Sequence, residues 1–150
     1  MVGLGILRKS DLFEGLSDDE LVAIARLSHE ETFLAGASIF SENEAARNLY
    51  IVTEGRVVIL INIGRGRQTV VDTVCQNGSF GWSAMVPPFL MTGTARAVEK
   101  TQVVAIPGDG LRGLCKQSCG TCYTIMEKVA AMASARLRES RLQLISLIAQ

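Results

Sequence analysis

From about residue 31 to residue 107 the chain is a succession of short β-branched runs broken by turn residues. They are SIF (38–40), NLYIV (48–52), RVVILINI (56–63), QTVVDTV (68–74), TARAV (94–98) and TQVVAI (101–106). Their number and spacing predict an all-β barrel or jelly roll. The two longest runs flank GRGR at 64–67, where Gly64 and Gly66 can take positive φ, so they read as a hairpin. Val57 to Ile61 is apolar without alternation, which predicts burial on both faces of that strand.

Helices flank the β region. In LFEGLSDDELVAIARLS, residues 12–28, Ser17 and Glu20 stand at capping-box spacing. Asp18 and Asp19 complement the helix dipole, and Leu21, Ile24, Ala25 and Leu27 supply an apolar face. After Pro107 and Gly108 the pattern turns helical again. Met126, Ala130, Ala133, Leu137, Ser140, Leu144 and Leu147 recur in steps of four and three, a coiled-coil seam over about three heptads. A homodimer through this helix is expected; the alternative is that the helix packs back on its own barrel. Arg136, Arg138, Arg141 and Lys128 fall off the seam, with Glu127 and Glu139 as available partners. The chain divides into residues 1–110, a short N-terminal helix plus barrel, and 111–150, a helical segment of the same domain.

At 150 residues this is the size of one domain. Fifteen basic and fifteen acidic side chains cancel, so no whole-molecule field favours nucleic acid or an anionic membrane. The opening MVGLGILRKSDLF lacks the features of a signal peptide, and no apolar stretch approaches about 18 residues, so a cytoplasmic protein without membrane contact is expected. Cys75, Cys115, Cys119 and Cys122 are not spaced as a disulfide scaffold, and reduced thiols are the expectation.

Four segments, LFEGLSDDEL (12–21), LYIVTEG (49–55) with Gly55 as its turn glycine, NGSFG (77–81) and TGTARA (92–97), together resemble the cyclic-nucleotide-binding domain of the cyclic-AMP receptor and kinase-regulatory-subunit superfamily. The resemblance covers nearly the whole chain. It implies a double-stranded β-helix jelly roll, mainly β, with a short N-terminal helix and a long C-terminal one. It also implies a phosphate-binding cassette after Phe80 and Gly81, in which a glutamate meets the ribose and an arginine the phosphate. Trp82 occupies the glutamate position. Met91, ten residues beyond Gly81, occupies the arginine position, followed by Thr92 and Gly93. Arg96 lies five residues further on, at a common strand position, and is not read as the phosphate ligand.

Losing a charge-assisted hydrogen bond costs about 1.5–3 kcal/mol, and burying a phosphate against a thioether costs more. Weak or absent binding of cyclic AMP is therefore expected. The candidate pocket is Phe80, Gly81, Trp82, Ser83, Met85, Met91, Thr92 and Gly93, with Phe89 adding to its apolar character. Trp82 either fills the ribose site or forms a wall for another ligand. A pocket closed by its own side chains and a real apolar site both remain open.

Other chemistry is thinner. Cys115-x3-Cys119-x2-Cys122 resembles a cluster-binding loop, with Cys75 as a possible fourth thiolate, and makes a metal or redox sensor an alternative. His29, the only histidine, reads as a solvated residue at a helix end rather than a haem ligand. Ser83 has no second histidine to activate it and no carboxylate pair stands at recognisable spacing, so no catalytic residue is assigned and an enzyme is not expected. The GRGR turn reads as solvated rather than as a nucleic-acid contact. The expectation is a non-catalytic regulatory or sensor module of the Crp/Fnr effector-binding type, taking a small-molecule effector. No helix-turn-helix and no cofactor are assigned; an interaction scaffold with a collapsed pocket is the other reading.

Overall fold

The computed structural model describes residues 2–149. Its barrel is made of two antiparallel four-stranded sheets. The strands are β1 (His29–Phe33), β2 (Ser38–Phe40), β3 (Asn48–Glu54), β4 (Val57–Gly64), β5 (Arg67–Val74), β6 (Ser79–Phe80), β7 (Thr94–Ala97) and β8 (Thr101–Pro107). One sheet is ordered β1-β8-β3-β6 and the other β2-β7-β4-β5. The six β-branched runs all form strands, whereas β1 and β6 carried no such signal. The sequence of β1, HEETF, has no buried residue, and β6 is only two residues long. His29 therefore opens a strand; its Nε2 lies 2.7 Å from Glu31 Oε1 on the surface.

β4 and β5 pair down to Gly64 opposite Arg67, and Arg65 and Gly66 both take positive φ, 54° and 72°. Such a turn follows the right-handed twist of the strands it joins. Burial on both faces does not occur in β4: Val57 and Leu60 are buried, but Val58, Ile59 and Ile61 are only half-buried. It occurs instead in β3 and β8. Tyr50, Val52, Val103 and Ala105 point into the barrel, while Leu49, Ile51, Val104 and Ile106 join a second core formed with the helices. Helices cover the outside of the first sheet, and α4 reaches the hairpin of the second through Arg136 at Val71 and Asp72.

Those helices are α1 (Leu4–Lys9), α2 (Asp18–Leu27), α3 (Gly108–Gln117) and α4 (Cys119–Ile148), with a 3-10 turn at Asp11–Phe13. α2 starts on the anticipated capping box. The Glu20 amide donates to Ser17 Oγ at 3.3 Å and the Ser17 amide to Glu20 Oε1 at 3.0 Å. Thr121 of α4 also donates its hydroxyl to Glu20, so one carboxylate caps α2 and ties it to α4. These bonds favour the ionised form and hold the Glu20 pKa below the usual carboxylate value, Thr121 being the largest cause.

α4 runs for 30 residues, about 45 Å. Its first half packs on its own domain through Ile125 and Val129, both buried, and through Met132 and Arg136, half-buried. This stripe sits one residue ahead of the expected seam. Met126, assigned to the outer seam, instead packs against the helical core. Of the remaining seam positions Ala133 is half-buried, while Ala130 and Ser140 are exposed and Leu137, Leu144 and Leu147 are 52%, 58% and 69% exposed.

Candidate functional site

The site begins where β6 ends. Phe80 is buried in an aromatic stack with Tyr50, centroids 5.0 Å apart, and with Phe40 at 6.0 Å. Burial in this stack pushes the Tyr50 pKa upward. The chain then reverses at Gly81, whose φ is 83°. A Cβ there would stand 2.9 Å from the Asn48 carbonyl oxygen and 3.2 Å from the Tyr50 ring. Glycine answers both demands, the left-handed backbone and the close approach of β3. From Gly81 the 3-10 turn Trp82–Met85 leads into the cassette loop.

Backbone bonds fasten that loop, the Asn43 amide donating to the Met91 carbonyl at 2.8 Å. The Met91 amide donates to the Glu44 carbonyl and the Ala46 amide to the Phe89 carbonyl, both at 2.8 Å. From the other side, Arg112 of α3 donates to the Ala84 carbonyl and lays its guanidinium 4.3 Å from the centre of the Phe89 ring. The cassette is thus clamped to α3.

Between cassette, second sheet and α4 lies a cavity of about 350 Å³. Phe80, Gly81, Trp82, Ser83, Met91, Thr92 and Gly93 line it, so seven of the eight residues expected from the sequence are brought together. Met85 is not among them. It packs into the helical core, on the side where Trp82 also packs, since side chains three residues apart in a 3-10 turn eclipse one another. Trp82 is half-buried and touches the helical core as well as the cavity, forming a wall rather than a plug. The void argues against a pocket closed by Trp82 and Met91.

The charged part of the lining was missed from sequence. Arg136 of α4 donates to the Val71 carbonyl and pairs with Asp72, both on β5, and its Nη1 lies 3.2 Å from Glu139 Oε2. Met132 also reaches the wall and accepts from Ser79 Oγ at 3.2 Å. Ile125, Val129, Met132 and Arg136 recur in steps of four and three, so the stripe was present in the sequence. The neighbouring Met126–Ala130–Ala133–Leu137 stripe has the same period and hid it. Arg96 donates to Gln68 at 3.2 Å and does not line the cavity.

Cys115 and Cys122 lie close together, but the four cysteines do not form one cluster. Cys75 and Cys119 are exposed, Cys115 is buried and Cys122 half-buried. Among the described residues no group of three or more His, Cys, Asp or Glu side chains could hold a metal, so Cys115, Cys119 and Cys122 offer no such site. Burial, with the nearby Cys122 thiol, pushes the Cys115 pKa up to about 12, far from a reactive thiolate.

A family model, the cyclic nucleotide-binding domain, matches residues 30–118. The chain belongs to that family. Among relatives, it is 24% identical over 143 residues to a CRP-like cAMP-activated global transcriptional regulator of Mycobacterium tuberculosis, covering 95% of this chain and 62% of that one. It is 23% identical over 138 residues to the cyclic AMP receptor protein of Thermus thermophilus, covering 92% and 62%. The chain thus spans less than two thirds of the length of these relatives. A crystal structure of a Geobacter metallireducens protein described under the same family superposes with a TM-score of 0.81 at 34% identity, over 91% of this chain and 99% of that one. The jelly-roll class and flanking helices expected from sequence are those of the family. No helix among the described residues is long and apolar enough to cross a membrane.

Proposed function

We propose that this domain is a non-catalytic sensor module of the Crp/Fnr effector-binding type, acting in the cytoplasm as a homodimer. A small molecule enters the cavity between cassette and α4 and sets the position of that helix. The observation that carries this reading is the cavity itself. About 350 Å³ lies within the range of small-molecule sites, and its walls come from two separate parts of the fold, the barrel and α4, so that an occupant contacts both. The relatives named for cyclic AMP make a nucleotide the first candidate, but the lining of this cavity opposes it. Trp82 and Met91 stand where the family places an acid for the ribose and an arginine for the phosphate. The dimer is supported by the distal half of α4, where Leu137, Leu142, Leu144, Ile145, Leu147 and Ile148 are all more than half exposed.

Calorimetric titration with cyclic AMP and cyclic GMP tests the ligand assignment. No heat of binding below the millimolar range is expected, and micromolar binding accompanied by a change in Trp82 fluorescence overturns it.

A further inference from the structure

Among the described residues the charged side chains lining the cavity are Asp72, Arg136 and Glu139. Two carboxylates against one guanidinium leave the lining with an excess of one negative charge. The guanidinium is also engaged, since Asp72, the Val71 carbonyl and Glu139 all accept from it or pair with it. Among the described residues no buried side-chain nitrogen or oxygen lacks a partner, so no buried cation awaits an anion. An entering phosphate or carboxylate must either compete with Asp72 for Arg136 or sit beside Glu139 uncompensated. Both routes are unfavourable.

Among the uncharged lining residues are three aromatic rings and two thioethers, Phe40, Phe80, Trp82, Met91 and Met132. Beside them are aliphatic side chains and the hydroxyls of four Ser and Thr residues, which serve neutral polar groups as well as anions. Indole and phenyl faces attract cations and stack on flat rings, and sulfur adapts to either. We propose that the cavity is selective for an aromatic small molecule that is uncharged or cationic, with its polar end donating to Glu139, and that it rejects anions. This rests on the sensor reading above and gives that reading its ligand class. It also inverts the charge preference that a phosphate cassette would have.

Three probes with one ring system and different charge separate the possibilities: tryptamine, indole-3-acetamide and indole-3-acetate. Trp82 is the only tryptophan, so in ¹⁵N-labelled protein a single indole N–H signal reports on the cavity wall without interference from the probes. Tryptamine and the amide should shift that signal saturably in about the millimolar range, as expected for fragments of this size. The acetate should bind about tenfold more weakly than tryptamine, the modest factor appropriate to carboxylates that are 37% and 53% exposed. Glu139→Gln should narrow the gap between cation and anion. Equal affinities, or tighter binding of the acetate, overturn the charge assignment while leaving the cavity a ligand site. No saturable shift with any of the three overturns the cavity as a ligand site, and the proposal with it.

Discussion

Gly81→Ala tests the geometry on which the whole site depends. Two costs add. Alanine at a φ of 83° pays about 1–2 kcal/mol for the left-handed backbone. Its Cβ must also fit 2.9 Å from the Asn48 carbonyl and 3.2 Å from the Tyr50 ring. Neither neighbour yields easily. Asn48 lies in β3 opposite Pro107 of β8, and Tyr50 is held in the stack with Phe80. Forcing a methyl into such packing costs about 1–3 kcal/mol. The sum, about 2–5 kcal/mol, is a large part of the stability of an ordinary domain. Gly36→Ala is the internal control: its φ is 86°, but a Cβ there meets nothing within 4 Å, so it carries the backbone cost alone. Urea unfolding followed by circular dichroism should place Gly81→Ala below Gly36→Ala by at least about 1 kcal/mol. Equal destabilisation of the two variants refutes the close approach of β3 to the cassette.

The distal seam and the capping carboxylate give two further tests. Leu144→Glu, at a position 58% exposed and outside the core, should convert dimer to monomer in light scattering with an unchanged circular-dichroism spectrum; an unchanged mass removes the dimer from α4. Glu20 has a folded pKa below its unfolded value, so its contribution to stability is present at neutral pH and is lost as pH falls through the folded pKa. Thr121→Val should therefore lower the urea midpoint at pH 7 and lose that effect progressively as the pH falls below the usual carboxylate range, and a pH-independent difference speaks against the Thr121–Glu20 bond.

Much of the site was legible because its chemistry is local. The turn at Gly81, the Phe80 anchor and the substitutions at Trp82 and Met91 all sit within one short stretch, and all four line the cavity. Met85 was misplaced because a periodic string does not say which way a 3-10 turn faces. Arg136, Asp72 and Glu139 were invisible as a group because Asp72 lies more than sixty residues before Arg136, as the neighbouring Arg136 to Val71 bond, spanning 65 residues, records. The strand β1 escaped notice for a different reason: its pairing with β8 is made by backbone groups, which any sequence supplies, and not by buried side chains.

The sequence by itself determined the β-strand spacing, the capping box of α2, the hairpin at residues 64–67 and the glycine turn at Gly81. Each of these follows from residue type and short-range spacing, where backbone sterics and hydrogen-bonding capacity act directly. Only the tertiary structure decided which strands are buried on two faces, which of two equally periodic stripes of α4 meets the barrel, and whether the cavity is open. Those outcomes depend on which surfaces cover one another, and the burial of apolar area does not distinguish neighbouring stripes until the partners are in place.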